Sequence, residues 1–204
     1  MKGTLYIIED HPMVRNGLKS WLENNTEWKI TGEAATQAEC IDLLNKTETF
    51  NHPEIMIVDV MLVNDELSFC LVRDLTITHP HIKCVMYSMN DSNGFVMEAR
   101  ESGAKGFISK ASSEQELVKC LKIVSEGGTY VEDRMKNSVS KTEEILKFLT
   151  KQEKRVFFEI LEGKTNKQIS NNLCLTIHSV ENYVSRLYEK LGVNSHEDIL
   201  YKYK

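Results

Sequence analysis

Ile7-Ile8-Glu9-Asp10-His11-Pro12 and Ile57-Val58-Asp59-Val60-Met61 share one design: a short apolar run that stops at acidic side chains. A strand buried on both faces of a parallel sheet reads as a near-continuous apolar run rather than an alternation. Working outward from these two, the pattern predicts strands at Thr4–Ile8, Lys29–Glu33, Glu54–Val58, Lys83–Tyr87 and Gly106–Ser109. Apolar residues at helical spacing between them predict helices over 12–25, 36–47, 66–79, 92–103 and 113–126. Ser113 with Glu116 three residues later is a capping box for the last of these, and Leu117, Leu121 and Val124 form its inward stripe. Five β-α units in succession make an α/β domain around a parallel sheet.

Gly127-Gly128 stops the fifth helix, and the polar stretch that follows lacks apolar periodicity, so 128–146 reads as a linker between a domain over 1–127 and a second over 147–204. Every element predicted after the linker is helical: 150–162, 165–172, 176–190 and 195–202. The second domain is therefore smaller and all-α, with Asn172-Leu173-Cys174-Leu175 as a short turn between two helices, a helix-turn-helix candidate.

The formal net charge of −5 conceals an asymmetry. Residues 1–140 carry 14 Lys and Arg against 21 Asp and Glu, whereas residues 141–204 carry 11 against 9. An acidic front and a mildly basic back suit a regulatory domain joined to one that binds a polyanion. No stretch reaches the about 20 apolar residues of a membrane helix, and the amino terminus has no signal-peptide core, so a cytoplasmic protein without a membrane partner is expected. Cys40, Cys70, Cys84, Cys120 and Cys174 stand singly, without disulfide or zinc spacing, and read as reduced packing residues.

Ligands of parallel α/β sheets bind at the carboxyl ends of the strands. Those positions here hold Glu9 and Asp10, Asp59, Ser88 and Lys110. Taken singly, each has an ordinary explanation as a turn former or a solvated charge. Taken together they supply hard oxygen ligands for Mg²⁺, a carboxylate nucleophile, and a hydroxyl and an ammonium to hold phosphoryl oxygens. Phosphoryl transfer asks chiefly for positioning and charge neutralisation, which this set provides.

On these residues, together with Gly103-Ala104-Lys105-Gly106-Phe107-Ile108-Ser109-Lys110, the front of the chain resembles the response-regulator receiver family over roughly 3–127. The resemblance implies a flavodoxin-like (βα)5 fold in which Asp59 accepts a phosphoryl group from a sensor histidine kinase. It also implies Mg²⁺ held by Glu9, Asp10, Asp59 and the Met61 backbone carbonyl, with Ser88 and Phe107 as the switch pair and Lys110 as the phosphate-pairing lysine. Val63 and Leu67 stand where the family usually has proline and glycine, and Glu9 is one methylene longer than the usual aspartate. His11 is given a loop-packing role and no chemistry.

The back of the chain carries Leu149-Thr150-Lys151-Gln152-Glu153, Gly163-Lys164-Thr165-Asn166-Lys167-Gln168, Thr176-Ile177-His178-Ser179-Val180-Glu181-Asn182 and Glu189-Lys190-Leu191-Gly192-Val193. Thr165 with Gln168 forms a capping box and Thr176 caps the next helix, in which Val180, Val184, Leu187 and Leu191 make one inward stripe. The opposite face offers Ser179, Glu181, Asn182, Ser185 and Arg186, side chains able to read base edges or hold phosphates. Lys164, Lys167 and Lys190 are candidates for phosphate contacts. These motifs resemble the LuxR-type helix-turn-helix of NarL/FixJ regulators over about 148–200. The resemblance implies that 181, 182 and 185 face bases in double-stranded promoter DNA.

The combined expectation is a transcription regulator, not an enzyme, that forms a homodimer on phosphorylation of Asp59. A receiver that no longer accepts phosphate, serving a phosphorylation-independent regulator or a heterodimer partner, is the alternative. An aspartate-nucleophile phosphohydrolase is disfavoured because Met61, not a second acid, lies two residues after Asp59.

Overall fold

The computed structural model describes residues 3–63, 66–133, 145–173 and 175–203. They fall into two compact units, one formed by residues up to 90 with 98–132, the other by 91–97 with residues from 133 onward.

The first unit is built on strands β1 (Thr4–Ile8), β2 (Lys29–Ala34), β3 (Ile55–Asp59), β6 (Lys83–Ser88), β7 (Gly106–Ser109) and β8 (Tyr130–Val131). These pair in the order β2-β1-β3-β6-β7-β8, every pair parallel. Helices α1 (Pro12–Asn25), α2 (Gln37–Lys46), α3 (Phe69–Thr78), α4 (Asn93–Glu101, whose residues up to 97 are grouped with the second unit) and α5 (Glu114–Ser125) make the crossovers. All five expected strands and helices are present, with ends shifted by a few residues. The alternation of side chains along each strand divides the core. Leu5, Ile7, Ile55, Ile57, Val85 and Ile108 pack with Leu22 of α1 and Leu117, Leu121 and Val124 of α5. Tyr6 and Met56 face the other way, where the Tyr6 hydroxyl donates to Thr47 Oγ1 and Met56 Sδ lies 3.7 Å from Cys40 Sγ.

Chain growth reverses between β1 and β3: the first crossover leads from β1 to β2 on one side and the next leads back across β1 to β3 on the other. That switch point opens a crevice beyond the carboxyl ends of β1 and β3, where Glu9, Asp10 and Asp59 stand.

Three features depart from the sequence reading. Tyr130–Val131, expected within the linker, forms a sixth strand on β7, and Glu132 is buried, its Oε1 accepting from Ser109 N at 3.1 Å. Residues 134–144 of the expected linker lie outside the described residues, and at its end Ile145 and Leu146 are helical, with Leu146 buried. The Ser113 cap forms with Glu116 N, but the Glu116 carboxylate does not close the box; it accepts from the Tyr130 hydroxyl that the added strand delivers. Finally, Met61–Leu62 and Glu66–Leu67 pair as a small antiparallel hairpin, β4 and β5, directly after the phosphoacceptor candidate. Of the cysteines, Cys40, Cys84 and Cys120 are buried, and burial pushes the Cys40 and Cys84 thiols up to about 12. Cys70 is exposed, and Cys174 lies outside the described residues.

The second unit contains helices α6 (Lys151–Leu161), α7 (Asn166–Leu173), α8 (Ile177–Leu191) and α9 (His196–Tyr203). Thr150 and Glu153 close a full capping box on α6, and Thr165 and Gln168 exchange their two bonds at 2.9 and 3.4 Å ahead of α7. Asn172 and Leu173, expected in the turn, complete α7 instead. The turn that follows is closed by Leu175 N donating to Ser170 O at 2.9 Å. Thr176 then caps α8, and Gly192 ends it at φ +64°, a left-handed conformation that glycine adopts without steric cost. Val180, Val184, Leu187 and Leu191 are all buried, as their spacing requires. Among the described residues no helix is long and apolar enough to cross a membrane.

Candidate functional site

At the switch point Lys110, delivered by the end of β7, sits between two carboxylates. Its Nζ lies 2.6 Å from Glu9 Oε2 and 2.8 Å from Asp59 Oδ2. All three side chains are at least nine-tenths buried. Burial raises the Asp59 pKa, and the nearby Glu9 charge adds to this against the opposing hydrogen bond from Lys110. For Lys110 burial pulls the other way, but the bonds to Asp59 and Glu9 prevail and hold its pKa above the ordinary lysine value. Lys110 is thus a fixed positive charge beside a carboxylate that is costly to ionise.

Local backbone positions Asp59. Its Oδ1 accepts from Met61 N at 3.2 Å, and Val60 N donates to Tyr87 O, continuing the sheet one residue past the strand. The Ser68 hydroxyl donates to Asp59 O at 2.5 Å and Ser68 N to Val60 O at 2.9 Å, tying the base of the β4–β5 hairpin to the backbone at Asp59 and Val60. Val63 and Leu67 lie half exposed on that hairpin. Paired backbone here takes the place of the proline and glycine expected from the resemblance.

Glu9, Asp10, His11 and Asp59 each offer one ligand atom, and these atoms lie within 4.8 Å of one another. Asp10 Oδ1 stands 2.8 Å from His11 Nδ1, yet it is buried without a hydrogen bond of acceptable geometry. A buried carboxylate oxygen without a hydrogen-bond partner, beside two further carboxylates, suits a hard divalent cation. His11 is an addition to the set. Its Nδ1 lies 3.1 Å from Glu9 Oε1 and its side chain is 68% exposed, so it borders the acidic cluster instead of packing a loop. The signal available in the sequence was its place directly after Glu9-Asp10.

Ser88 ends β6 beside β3, and its Oγ accepts from Asn90 N at 3.0 Å. Phe107 is buried in β7, paired with Met86, and belongs to the core and not to the acidic cluster.

On the second unit, Thr176, Glu181, Asn182, Ser185 and Arg186 are exposed along one side of α8, opposite its apolar stripe, and Ser179 is half-buried there. Thr176 Oγ1 accepts from Ser179 N at 3.1 Å, so these two also build the start of the helix. The three lysines differ. Lys167 is exposed. Lys164 pairs with Glu159 at 3.0 Å, and Lys190 turns back to the buried Glu153 at 2.7 Å and to Phe148 O at 3.2 Å.

A parallel α/β unit with an acidic cluster at its switch point, joined to a helix-turn-helix unit, is the class that fold and residues define. Residues 5–122 match the response regulator receiver domain family and residues 147–202 match the luxR family of bacterial regulatory proteins. The chain therefore belongs to the two-component response regulators of NarL/FixJ type, a receiver followed by a LuxR-type domain. It is 30% identical over 196 residues to the DNA-binding transcriptional activator DevR/DosR of Mycobacterium tuberculosis, covering 93% of this chain and 88% of that one. It is 24% identical to the oxygen regulatory protein NreC of Staphylococcus epidermidis, covering 96% and 94%. Its fold is similar to that of RcsB from Salmonella enterica serovar Typhimurium bound to promoter P1flhDC in the presence of the phosphomimetic BeF3-, with a TM-score of 0.68, 21% identity and coverage of 98% and 97%.

Proposed function

We propose that the protein is a phosphorylation-switched transcription regulator, in which Asp59 is the phosphoacceptor and α8 reads promoter DNA. The observation that carries this is the Glu9–Lys110–Asp59 arrangement at the switch point of the sheet, beside a buried Asp10 oxygen that accepts no hydrogen bond. An oxygen of Asp59 attacks the phosphorus of a phosphohistidine on a sensor histidine kinase. The acyl phosphate forms as the phosphorus–nitrogen bond breaks, and the kinase nitrogen leaves with the electron pair. Lys110 moves from pairing a carboxylate to pairing a phosphoryl oxygen, a role its fixed charge supports. Ser88, at the end of the adjacent strand, would receive another phosphoryl oxygen. Turning toward it requires Ser88 to release Asn90 N, and Phe107 lies on the next strand to repack with that movement.

Glu9, Asp10, Asp59 and the Met61 carbonyl would hold Mg²⁺. Bound there, the ion supplies positive charge to the transferring phosphoryl group. The protein itself performs no turnover on a separate substrate; its phosphoryl chemistry alters its own conformation. Phosphorylation favours a homodimer, which brings two α8 helices to paired half-sites of double-stranded DNA. Glu181, Asn182 and Ser185 face bases, Arg186 reads guanine or phosphate, and Thr176, Ser179 and Lys167 meet the backbone. Lys164 contributes after leaving Glu159, and Lys190 contributes chiefly by holding the fold. A cytoplasmic location follows from this reading.

The test is incubation with Mg²⁺ and acetyl phosphate, following intact mass and DNA affinity together. The expected result is one phosphate adduct, absent in Asp59→Asn, with tighter DNA binding. DNA binding without an adduct would overturn the switch and leave a phosphorylation-independent regulator or heterodimer partner.

A further inference from the structure

The strands that carry Asp59 and Ser88 at their carboxyl ends carry a second cluster at their amino ends, about 15 Å away at the rise of an extended strand. His52 lies just before β3, while His79 and His81 lie between α3 and β6. His52 Nδ1 stands 3.3 Å from His81 Nε2. The ring centroids are 5.3 Å apart for His52 and His79, 5.4 Å for His52 and His81, and 6.1 Å for His79 and His81.

We propose that His52, His79 and His81 form a binding site for a divalent transition-metal ion of the imidazole-preferring class, represented by Zn²⁺. Nitrogens bound at about 2.0–2.1 Å to a tetrahedral ion are separated by about 3.3–3.4 Å, which matches the His52–His81 spacing. With each ring centroid about 3.2 Å from such an ion, centroids are separated by about 5.2 Å, close to the His52–His79 and His52–His81 centroid spacings. The ring nitrogens of the three residues do not all lie within 4.8 Å of one another, so binding requires His79 to swing inward by side-chain rotation.

Hydrogen bonding outside the cluster leaves the needed lone pairs bare. His52 Nε2 has Leu44 O at 3.2 Å and Thr47 O at 3.0 Å, two acceptors, so this nitrogen carries the proton and Nδ1 keeps its lone pair, which faces His81 Nε2. The Thr78 hydroxyl donates its one proton to Asp74 O at 2.8 Å, so its oxygen accepts from His79 Nδ1, also at 2.8 Å. That leaves His79 Nε2 bare. A ligating histidine commonly donates its second N–H in this way to a backbone carbonyl or similar group, which fixes ring orientation and raises basicity. The backbone is fixed as well. Ile82 N donates to His79 O at 2.9 Å, closing a tight turn around His79-Pro80-His81, and His52 N donates to Thr49 O at 3.2 Å. His81 is exposed and the other two rings are half-buried, so an ion can enter from solvent with water as its fourth ligand.

The test is a Zn²⁺ titration of the full chain against a chromophoric chelator, in an Asp10→Asn, His11→Gln background that takes two of the four ligand candidates from the competing acidic cluster. One ion per chain is expected, with binding weakened about tenfold or more by His81→Gln and by His79→Gln, the scale seen when a metal shell is disrupted. Co²⁺ should give the intense visible bands of a tetrahedral nitrogen-ligated ion, lost in the same variants. His81 is exposed, so His81→Gln keeps the fold, which circular dichroism confirms. Zn²⁺ affinity unchanged within twofold in both variants, or absence of binding in the background chain, would overturn the site.

Discussion

Lys110 Nζ lies 2.8 Å from Asp59 Oδ2, so the proposed nucleophile is already paired with the group that would hold its phosphate. The pairing does not fully offset burial, because Asp59 is still held above its ordinary pKa, first by burial and then by Glu9. A carboxyl whose pKa is higher in the folded state binds its proton more tightly there, so ionisation costs stability. The cost is absent below the unfolded carboxylate pKa of about 4 and grows as the pH rises through the folded value. Asp59→Asn should therefore raise the unfolding temperature at neutral pH, with the gain shrinking as the pH falls toward 4. A gain independent of pH would show that charge burial is not its source.

The same lysine neutralises Glu9, whose side chain is 2% exposed. Lys110→Gln leaves two buried carboxylates facing each other, and breaking a buried pair of this kind costs about 3–5 kcal/mol. A divalent cation can take over the neutralisation, so millimolar Mg²⁺ should recover part of the loss and stabilise the variant more than the wild type. Thermal unfolding with and without Mg²⁺ measures both. Equal Mg²⁺ effects in the two proteins would mean that Lys110 and the cation do not share this charge.

Tyr130 is 4% exposed within the core shared by α5 and the sheet, and its hydroxyl donates to Glu116. Tyr130→Ala should cost about 3–5 kcal/mol, as for other large buried aromatic side chains. Tyr130→Phe removes only the hydrogen bond and should cost about 1 kcal/mol. Urea unfolding followed by the fluorescence of Trp21 and Trp28, both in the same unit, separates the two effects. A cost below about 1 kcal/mol for Tyr130→Ala would show that the sixth strand is not integral to the unit.

The receiver strands were legible because each is an apolar run of ordinary length, and the phosphoacceptor candidate because its partners fall at strand ends, which a parallel sheet brings together. Tyr130–Val131 was not legible: two residues carry no period, and they follow a glycine pair that also signals the end of a domain. The β4–β5 hairpin escaped for the same reason, being two residues on each side. His11 could be seen next to Glu9-Asp10, but not that its ring turns toward them. The partners of Lys190 were hidden because a sequence shows which lysines lie near a helix face and not which of them reach a carboxylate 37 residues away.

That last distinction yields a prediction for the second unit. Lys167 is exposed, whereas Lys190 donates to Glu153, the residue that closes the capping box of α6 and is only 2% exposed. Burial tends to raise the Glu153 pKa, but the bonds from Lys190 and Thr150 outweigh it and hold the carboxyl below its ordinary value. A lysine on phosphate releases a counterion, and losing it reduces the slope of log affinity against log salt by about 0.9. Lys167→Ala should show that reduction with no change in unfolding temperature. Lys190→Ala should instead lower the unfolding temperature, since it strands a buried carboxylate, and leave the salt slope of DNA binding nearly unchanged. Because a depressed carboxyl pKa contributes stability above its unfolded value and loses it as the pH falls, the penalty in Lys190→Ala should be largest near neutrality and vanish in acid. Affinity measured across a salt series, alongside thermal unfolding across pH, decides the matter. A slope reduced equally in both variants would place Lys190 on the DNA as well.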